Sequence, residues 1–317
     1  MHEGSNQMHE LAGRPALIGR RPLLRRIWAY VELMKPRVLE LLLLTTAPVM
    51  VLAQRGVPDT RLIAATVTGG ILSGGSAAAF NMYLDRDVDA RMRRTAKRPL
   101  VTGEVSPRAG LAFAWALAVA STVWFLITVN LLSAALSAFA IFFYVVVYTV
   151  LLKHRTEQNI VWGGIAGCFP VLIGWSAVTD ALSWPAVVLF VLVFLWTPAH
   201  YWPLSVNYRD DYRAANIPML GATRGTRHVA ARVAIYAFAT VLCSIVLIPV
   251  GGMGLLYSVV VVASGSWFLY DACGFYWQTR TSDAAGDRSM HVFRSSIIYL
   301  ALVFVAVAVD PLLQLTL

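Results

Sequence analysis

Acidic and amide side chains recur at a spacing of four residues near one end of a long apolar run. Asn81, Asp85 and Asp89 lie in the segment Asn-Met-Tyr-Leu-Asp-Arg-Asp-Val-Asp, and on a continuing helix they would line one face. Oxygens at this spacing can bind Mg²⁺, which takes few protein ligands and fills its other positions with water and phosphate oxygens. The alternative is a helix end with solvated charges, but acidic residues where a helix leaves a membrane are usually functional. The spacing therefore predicts a magnesium site.

A cation-rich loop follows these carboxylates, and it includes Arg94, Lys97 and Arg98. Arginine forms paired hydrogen bonds to phosphate oxygens, and Mg²⁺ would bridge the same phosphate to the aspartates. Part of the charge also reflects the general excess of basic residues in cytoplasmic loops. Nucleic acid is a poor alternative, because the loop carries no aromatic platform for stacking bases. The two neighbouring motifs predict a site for a magnesium-bound diphosphate.

A second constellation lies further along the chain. Asn207 and Asp211 repeat the spacing of four residues, and His200 lies two turns before Asn207 on the same helix face, inside an apolar run. A polar ring at that depth is costly without a partner, so we expect His200 to face the interior of the bundle. Two interpretations of His200 stay open: a packed hydrogen-bond partner, or a residue that binds the acceptor, including as an iron ligand.

The composition predicts the fold class. The 317 residues are 58% hydrophobic and 14% charged, and the mean hydropathy is +0.65, whereas soluble domains are about a quarter charged. Apolar runs of about 20 residues recur, each long enough to cross the hydrocarbon layer, and the pairing of backbone groups in lipid requires them to be helices. We expect an all-α polytopic membrane protein. The nine predicted spans are 33–53, 61–82, 109–128, 131–151, 159–178, 185–206, 229–249, 252–274 and 295–315.

The connecting loops alternate between basic and nearly uncharged. By the positive-inside rule this places the N-terminus in the cytoplasm and the C-terminus outside, in a bacterial inner membrane. We expect residues 1–30 to form a basic, poorly ordered cytoplasmic tail, and residues 31–317 to form the membrane domain. The basic segments are the tail, 85–108, 153–155, 209–232 and 280–294.

The motifs, together with Lys35-Pro36-Arg37, closely resemble the UbiA superfamily of intramembrane prenyltransferases, and the branch that they match best is the one that farnesylates protohaem IX. The resemblance covers the chain from Lys35 to the C-terminus. Besides the first aspartate motif, the segments that carry it are Arg94-Thr-Ala-Lys97-Arg98-Pro99-Leu100, Lys153-His-Arg-Thr-Glu-Gln-Asn159, Trp196-Thr-Pro-Ala-His200, Asp211-Tyr212 and Ile217-Pro-Met-Leu220.

The resemblance implies nine helices around a central cavity, with Mg²⁺ and farnesyl diphosphate at its cytoplasmic mouth. The implied metal ligands are Asn81, Asp85, Asp89 and Asp211. It implies that Arg94, Lys97 and Arg98 act with them in catalysis, and that the substrate-binding residues are Lys153, Asn159, His200, Asn207, Arg209 and Tyr212.

In this branch haem B is the acceptor substrate, haem O is the product, and haem A synthase or terminal oxidase assembly proteins are partners beside the lipid bilayer. An asparagine at position 207, where quinone-making branches carry aspartate, favours the haem branch. Ala199 and Gly221 stand where the family pattern has prolines, which affects local loop geometry but removes no polar group.

Three other functions remain open. A prenyltransferase of the same fold that uses an aromatic quinone precursor would show the same diphosphate motifs. A transporter would also carry intramembrane Asp and His residues, but usually near the middle of the bilayer, whereas here the aspartates cluster at one interface. A haem carrier without catalysis would not need the magnesium motif.

Overall fold

The computed structural model describes residues 23–281 and 286–314, and all regular secondary structure within them is helical. Two helices include segments of other helical types: α6 continues into a π-helix, Phe143–Leu152, and α7 joins α8 through a 3₁₀ turn, Gly164–Cys168. The α-helices are α1 (Leu23–Leu33), α2 (Pro36–Gln54), α3 (Thr60–Leu84), α4 (Arg86–Asp89), α5 (Pro107–Thr128), α6 (Leu131–Phe142), α7 (Asn159–Gly163), α8 (Phe169–Thr179), α9 (Trp184–Asn207), α10 (Arg209–Ala214), α11 (Leu220–Thr223), α12 (Thr226–Gly251), α13 (Leu255–Thr281) and α14 (Gly286–Gln314).

Eight of the nine predicted membrane spans are found as long apolar helices in the described part of the chain. Among the described residues, 8 helical stretches are long and apolar enough to cross a bilayer, and their bounds mostly lie within a few residues of the predicted ones. The first predicted span corresponds to α2, which has 19 residues and includes the apolar stretch Leu44–Gln54. The largest difference is at the last span, because α14 begins at Gly286 rather than near residue 295. The chain is an integral membrane protein.

Local capping determines where several helices begin. Asp59 accepts a hydrogen bond from the Arg61 backbone at the start of α3 (2.7 Å), and Asn130 accepts one from the Ser133 backbone at the start of α6 (2.8 Å). Ser106 caps α5 in the same way, with Pro107 as the first helical residue. These side chains satisfy backbone donors that have no partner within the helix.

The spanning helices pack into a ring that follows their order in the chain. Each packs against the next, and α14 returns to α2, with further contacts between α2 and α8 and between α9 and α14. The largest buried cluster lies among α9, α12, α13 and α14. Its biggest fully buried side chains include Tyr257, Phe268, Phe275, Tyr299 and Phe304. The ring leaves a space on the side of α2, α3, α6 and α8.

The N-terminal boundary differs from the prediction. Residues 23–30 were expected to belong to a poorly ordered tail, but they form most of α1, and Ala29 is buried. The helix packs on α3, and Tyr30 lies edge-on to Phe113 of α5, with ring centroids 5.0 Å apart. Apolar residues on one side of a short amphipathic segment bind it to the bundle. Residues 1–22 of the predicted tail lie outside the described residues.

We predict that Gly174→Ala destabilises the fold, because a Cβ at Gly174 would lie 2.7 Å from the Thr46 backbone oxygen, where α8 crosses α2. Crowding of this kind typically costs about 1–3 kcal/mol. The control is Gly70→Ala in α3, another spanning helix, because a Cβ at Gly70 would have no neighbouring atom within 4 Å. Thermal unfolding in detergent should show a lower midpoint for the first variant only; equal midpoints would contradict the close helix crossing.

Candidate functional site

The first aspartate motif spans a helix break without losing its common face. α3 ends at Leu84 and Asp85 joins it to α4, but the backbone amides of Asp85 and Asp89 still donate to the carbonyls four residues earlier, at 2.9 and 2.7 Å. Asn81, Asp85 and Asp89 are 3%, 1% and 2% exposed. Asp87, between them, is exposed and lies 3.7 Å from Arg86. The predicted arrangement on one face is therefore present.

Asp85 is the centre of a buried polar network. Its Oδ2 accepts hydrogen bonds from the Asn81 amide at 2.6 Å and from the Lys153 ammonium at 2.5 Å. The Asn81 amide also donates to the Thr149 hydroxyl at 3.2 Å, and the Asn81 carbonyl oxygen accepts from Lys35 at 2.7 Å. A buried carboxylate needs such partners, because an isolated charge at this depth is very costly. Three separate parts of the chain therefore meet at the first motif.

Asp89 has its own counter-ion. Arg98 donates to its Oδ2 at 2.5 Å, and the Thr95 hydroxyl donates to its backbone carbonyl at 2.9 Å. These contacts fold the basic loop back over the helix end from which it emerges. The sequence predicted that Arg98 binds phosphate beside these carboxylates; in the structure, Arg98 pairs directly with Asp89.

The surroundings of Lys35 affect its protonation. Burial, together with the nearby Arg98 and Lys153 cations, lowers the pKa of Lys35 to about 7. The charged form of Lys35 is therefore disfavoured at this position, although Asp85 and Asp89 act in the opposite direction. An anion bound among these cations would favour the charged form of Lys35 again.

The π-helix presents one wall of the site. In it the Lys153 amide donates to the Tyr148 carbonyl, and the Thr149 hydroxyl donates to the Tyr144 carbonyl, both five residues earlier, at 2.9 Å each. Such widened turns are rare and frequently occur at functional sites. The segment turns Thr149 toward Asn81 and Tyr144 toward an apolar cavity, and the Tyr144 and Tyr148 rings lie 5.3 Å apart.

The second motif lies at the same mouth. The Arg94 backbone amide donates to Asp211 Oδ2 at 3.4 Å, and the Arg94 guanidinium lies 5.4 Å from the centre of the Tyr208 ring. Because Arg94 belongs to the loop that closes over Asp89, the two acidic motifs face one region rather than opposite sides of the bilayer.

Several predicted site residues make structural contacts. Arg209 points away from the mouth, because it donates to the Gly221 carbonyl at 2.6 Å and to the Thr226 hydroxyl at 2.9 Å. This contact also bears on Gly221, where a Cβ would lie 2.7 Å from the Ser205 backbone, so glycine lets α11 approach α9 closely. Lys97 is exposed.

The remaining polar residues of these motifs lie around the mouth. Asn207 donates to Ser289 at 2.6 Å, and the Tyr212 and Tyr201 hydroxyls are 2.8 Å apart. Asn159 donates to the Lys153 carbonyl at 3.1 Å, while its own buried carbonyl oxygen accepts no hydrogen bond from the described residues. Asn159 therefore fixes the backbone that carries Lys153.

His200 faces the bundle interior, as predicted. Its ring is stacked between Trp196 and Phe293, with centroids 4.2 and 4.6 Å away, and its Nδ1 is 2.8 Å from the Ser296 hydroxyl. Trp196 donates to the Ser296 carbonyl at 2.8 Å. Both ring faces are covered, so only the ring edge is available to a ligand.

An apolar cavity extends inward from Lys35. It encloses about 910 Å³ of empty space, part of it open to the surroundings, and along α3 its lining runs from Ala78 to Thr66, about 18 Å at the helical rise. Phe169 and Ile173 of α8 and Tyr144 lie on other walls. Because Lys35 also binds Asn81, the cavity begins beside the polar network.

Within residues 23–281 and 286–314, no group of three or more His, Cys, Asp or Glu side chains is close enough to hold a metal ion by itself. Some carboxylate oxygens nevertheless remain open. In the described chain, Oδ1 of Asp89 and Oδ1 of Asp211 accept no hydrogen bond, and Oδ1 of Asp85 has only His154, at 3.6 Å. This donor set fits an ion that takes few protein ligands and completes its shell with phosphate and water.

Sequence reasoning missed three residues of the network as site residues. Lys35 belongs to the Lys-Pro-Arg segment that contributes to the family resemblance, and that segment could have identified it as a site residue. His154 adjoins the predicted Lys153. Thr149 carried no signal, because only the widened turns of the π-helix bring it to Asn81.

Comparisons with known proteins agree with this architecture. A model of the UbiA prenyltransferase family matches residues 42–308. The chain is 55% identical to the protoheme IX farnesyltransferase of Paenarthrobacter aurescens, covering 90% of each chain. It is 56% identical to that of Clavibacter michiganensis, covering 91% of this chain and 94% of the relative.

Solved structures show the same fold at low sequence identity. One of digeranylgeranylglyceryl phosphate synthase has a TM-score of 0.72 at 14% identity, covering 90% of this chain and 99% of that one. A UbiA homologue from Archaeoglobus fulgidus, bound to GPP and Mg²⁺, has a TM-score of 0.61 at 14% identity, covering 88% of this chain and 99% of that one.

We predict that Arg98→Met destabilises the protein by about 3–5 kcal/mol, because it leaves the Asp89 carboxylate buried without its counter-ion. Adding Asp89→Asn should recover part of the loss, since the double variant has no unpaired charge. A double-mutant cycle tests this. Its measurements are the unfolding free energies, in detergent, of the wild type, the two single variants and the double variant. Additive losses would show that the pair does not interact as described.

Proposed function

This chain belongs to the UbiA prenyltransferase family, and we propose that it transfers the farnesyl group of farnesyl diphosphate to the vinyl group of haem B, with addition of water, giving haem O and diphosphate. The observation that carries the proposal is the 55% identity over nine tenths of both chains to a protoheme IX farnesyltransferase. The structure supports the proposal with a cation-lined polar mouth beside an apolar cavity.

Lys35, Lys153 and Arg98 would bind the diphosphate. They converge on Asn81, Asp85 and Asp89, so their positions are fixed before a ligand arrives. When the bond between farnesyl C1 and oxygen breaks, the electron pair leaves with diphosphate, and preorganised cations stabilise the charge that develops there. The rate of this bond cleavage is therefore not slowed by a rearrangement of the cationic side chains.

Mg²⁺ is the metal that we propose for the site. Asp85, Asp89 and Asp211 would hold it through their open oxygens. Asn81, which the family resemblance implied as a fourth ligand, instead positions Asp85, because its carbonyl oxygen already accepts from Lys35. When bound, it neutralises charge on the departing diphosphate. The structure of the Archaeoglobus fulgidus homologue was determined with GPP and Mg²⁺, which supports a donor of this chemical class.

The apolar cavity would hold the farnesyl chain. Its walls are helices, and its lining is largely aliphatic, glycine and alanine. Excluding water there protects the allylic cation until the haem vinyl group attacks C1. The cation that this attack leaves on the haem side chain then takes up a water molecule and releases a proton. None of the described residues is assigned as the base for that proton.

His200 is proposed as a residue that binds or orients the acceptor. It lies two turns before Asn207 on α9, on the side of the bundle where α14 supplies Phe293 and Ser296. Asn159 and Tyr212 are proposed to shape the same mouth, and Lys97 is placed to meet ligands that approach it. Arg209 would support this mouth indirectly, because it donates to Gly221 and Thr226 and so holds the segment between α10 and α12 in place.

The orientation follows from charge. The acidic motifs and basic loops share one end of the bundle, so we propose that this end faces the bacterial cytoplasm, with the C-terminus outside. Haem A synthase or terminal oxidase assembly proteins are proposed as partners that would take up the product.

Mass spectrometry of haems from cells with and without this chain tests the reaction. Haem O should accumulate only with the chain. Offering purified protein both haem B and an aromatic quinone precursor, with farnesyl diphosphate and Mg²⁺, separates the two prenyltransferase functions. Prenylation of the quinone precursor alone, or transport without any product, would overturn the proposal.

We predict that Asp85→Asn lowers turnover at least 100-fold, because it removes a carboxylate proposed to hold the Mg²⁺ that stabilises charge on the departing diphosphate. Asparagine keeps an oxygen that can accept from Lys153, and the unfolding midpoint in detergent checks that the variant is folded. Asp87→Asn is the matched control, because Asp87 lies in the same segment but is exposed. Haem O formation in purified membranes is the measurement. Full activity of Asp85→Asn would remove Asp85 from the site.

We predict that His200→Ala changes the optical spectrum of bound haem if the ring edge ligates iron, and raises KM for haem if it only orients the acceptor. Ser296→Ala, which removes the partner of Nδ1, is the milder companion variant. An unchanged spectrum would exclude iron ligation, and an unchanged KM as well would exclude both acceptor roles.

A further inference from the structure

The first helix exposes a continuous apolar face. Leu23, Leu24, Ile27 and Trp28 are 71%, 78%, 53% and 59% exposed, and their spacing places them side by side on α1. The opposite face is buried in the bundle through residues such as Leu33, which is 0% exposed. Exposed apolar surface of this kind usually marks an interaction site.

Two contacts fix the depth of α1. Near its start, Arg25 donates to Glu104 at 2.7 Å, just before α5 begins at Pro107. Near its end, Tyr30 packs on Phe113, about 9 Å along α5 at the helical rise. The helix therefore runs obliquely from the basic loops into the first turns of the spanning helices, which is the level of the lipid headgroups and the outer hydrocarbon layer.

The surroundings of this face match a lipid surface. Trp115, two residues after Phe113 on α5, is 59% exposed and packs edge-on against Phe80 of α3, so the bundle exposes apolar surface at the same level as the end of α1. Arg26, which is exposed, lies on α1 beside the apolar face. Apolar residues flanked by arginine are typical of helices that lie in an interface and attract anionic lipids.

The end of α1 is tied to the diphosphate site. The Met34 and Lys35 amides donate to Val31 and Glu32 carbonyls at 3.0 and 3.2 Å, and Lys35 has a φ of +53°. This left-handed residue turns the chain directly into Pro36 of α2, and its side chain reaches Asn81. A shift of α1 would move the backbone that carries the Lys35 ammonium.

We propose that α1 is an interfacial helix that binds the cytoplasmic lipid surface, and that its hold on the lipid positions Lys35 on the diphosphate. The coupling to Lys35 rests on the proposed function, whereas the lipid contact does not. The exposed apolar face of α1 would contact lipids of the same cytoplasmic leaflet that surrounds the spanning helices.

Spin-label accessibility tests the lipid contact. The full chain with Cys273→Ser, reconstituted in nanodiscs containing phosphatidylglycerol, would carry a label at Leu24→Cys or Trp28→Cys. Both labels should be more accessible to oxygen than to a water-soluble nickel chelate. A label at Asp87→Cys, exposed at the same end of the bundle, should show the opposite order. Chelate-accessible labels on α1 would overturn the lipid contact.

Binding of magnesium pyrophosphate tests the coupling without requiring catalysis. The double variant Leu24→Glu with Trp28→Glu should bind magnesium pyrophosphate in nanodiscs with a Kd about tenfold higher than the wild type. This is the change expected for the loss of one hydrogen bond to a charged group. The conservative pair Leu24→Ile and Trp28→Phe should bind like the wild type, and equal unfolding midpoints would show that all variants are folded. Unchanged affinity, or no binding by the wild type, would overturn the coupling.

Failure of the proposed function gives a different result. If cells with the chain make no haem O while the α1 labels remain immersed and pyrophosphate binding depends on α1, the farnesyl transfer to haem is wrong and the interfacial helix stands.

Discussion

The structure depends on the requirement that a carboxylate placed at the end of a membrane helix has a counter-ion. Asp85 and Asp89 are almost completely buried, and each meets a cation from a different part of the chain, Lys153 and Arg98. A buried charge without its partner would cost several kcal/mol. The motif can therefore exist only if the distant segments that supply these cations fold back onto it.

This requirement explains how the bundle and the mouth are related. The ring of helices brings the π-helix and Lys153 beside α3, and the loop after α4 closes over Asp89 because Arg98 and Thr95 hold it there. The apolar cavity then begins where this polar network ends, at Lys35. A ligand with a charged head and an apolar tail matches both parts without further rearrangement of the protein.

Much of this organisation was predictable from the sequence, for local reasons. The apolar runs gave the spans, and the spacing of Asn81, Asp85 and Asp89 gave their common face, because the backbone hydrogen bonds continue across the break at Asp85. Arg98 was assigned to the diphosphate from its place in the basic loop, and its direct contact with Asp89 was not predicted. Arg209 showed the limit of such reasoning: its charge suggested phosphate binding, but two acceptors near α11 and α12 hold it elsewhere. Lys35 reaches Asn81 across 46 positions, which depends on how helices pack rather than on any local pattern.

The π-helix has a consequence for how this segment tolerates change. Phe143–Leu152 is a π-helix with wider turns than an α-helix, and the Lys153 amide at its end donates to the Tyr148 carbonyl five residues earlier, so residues along it are displaced relative to an ordinary α-helix. Deleting one residue between Phe143 and Tyr148 would allow the commoner helical geometry, but it would also rotate Thr149 and Lys153 around the helix axis, away from Asn81 and Asp85. In this segment a regular α-helical backbone and the contacts of Thr149 and Lys153 exclude each other. A shorter segment would gain regular helical hydrogen bonds but lose the buried polar network.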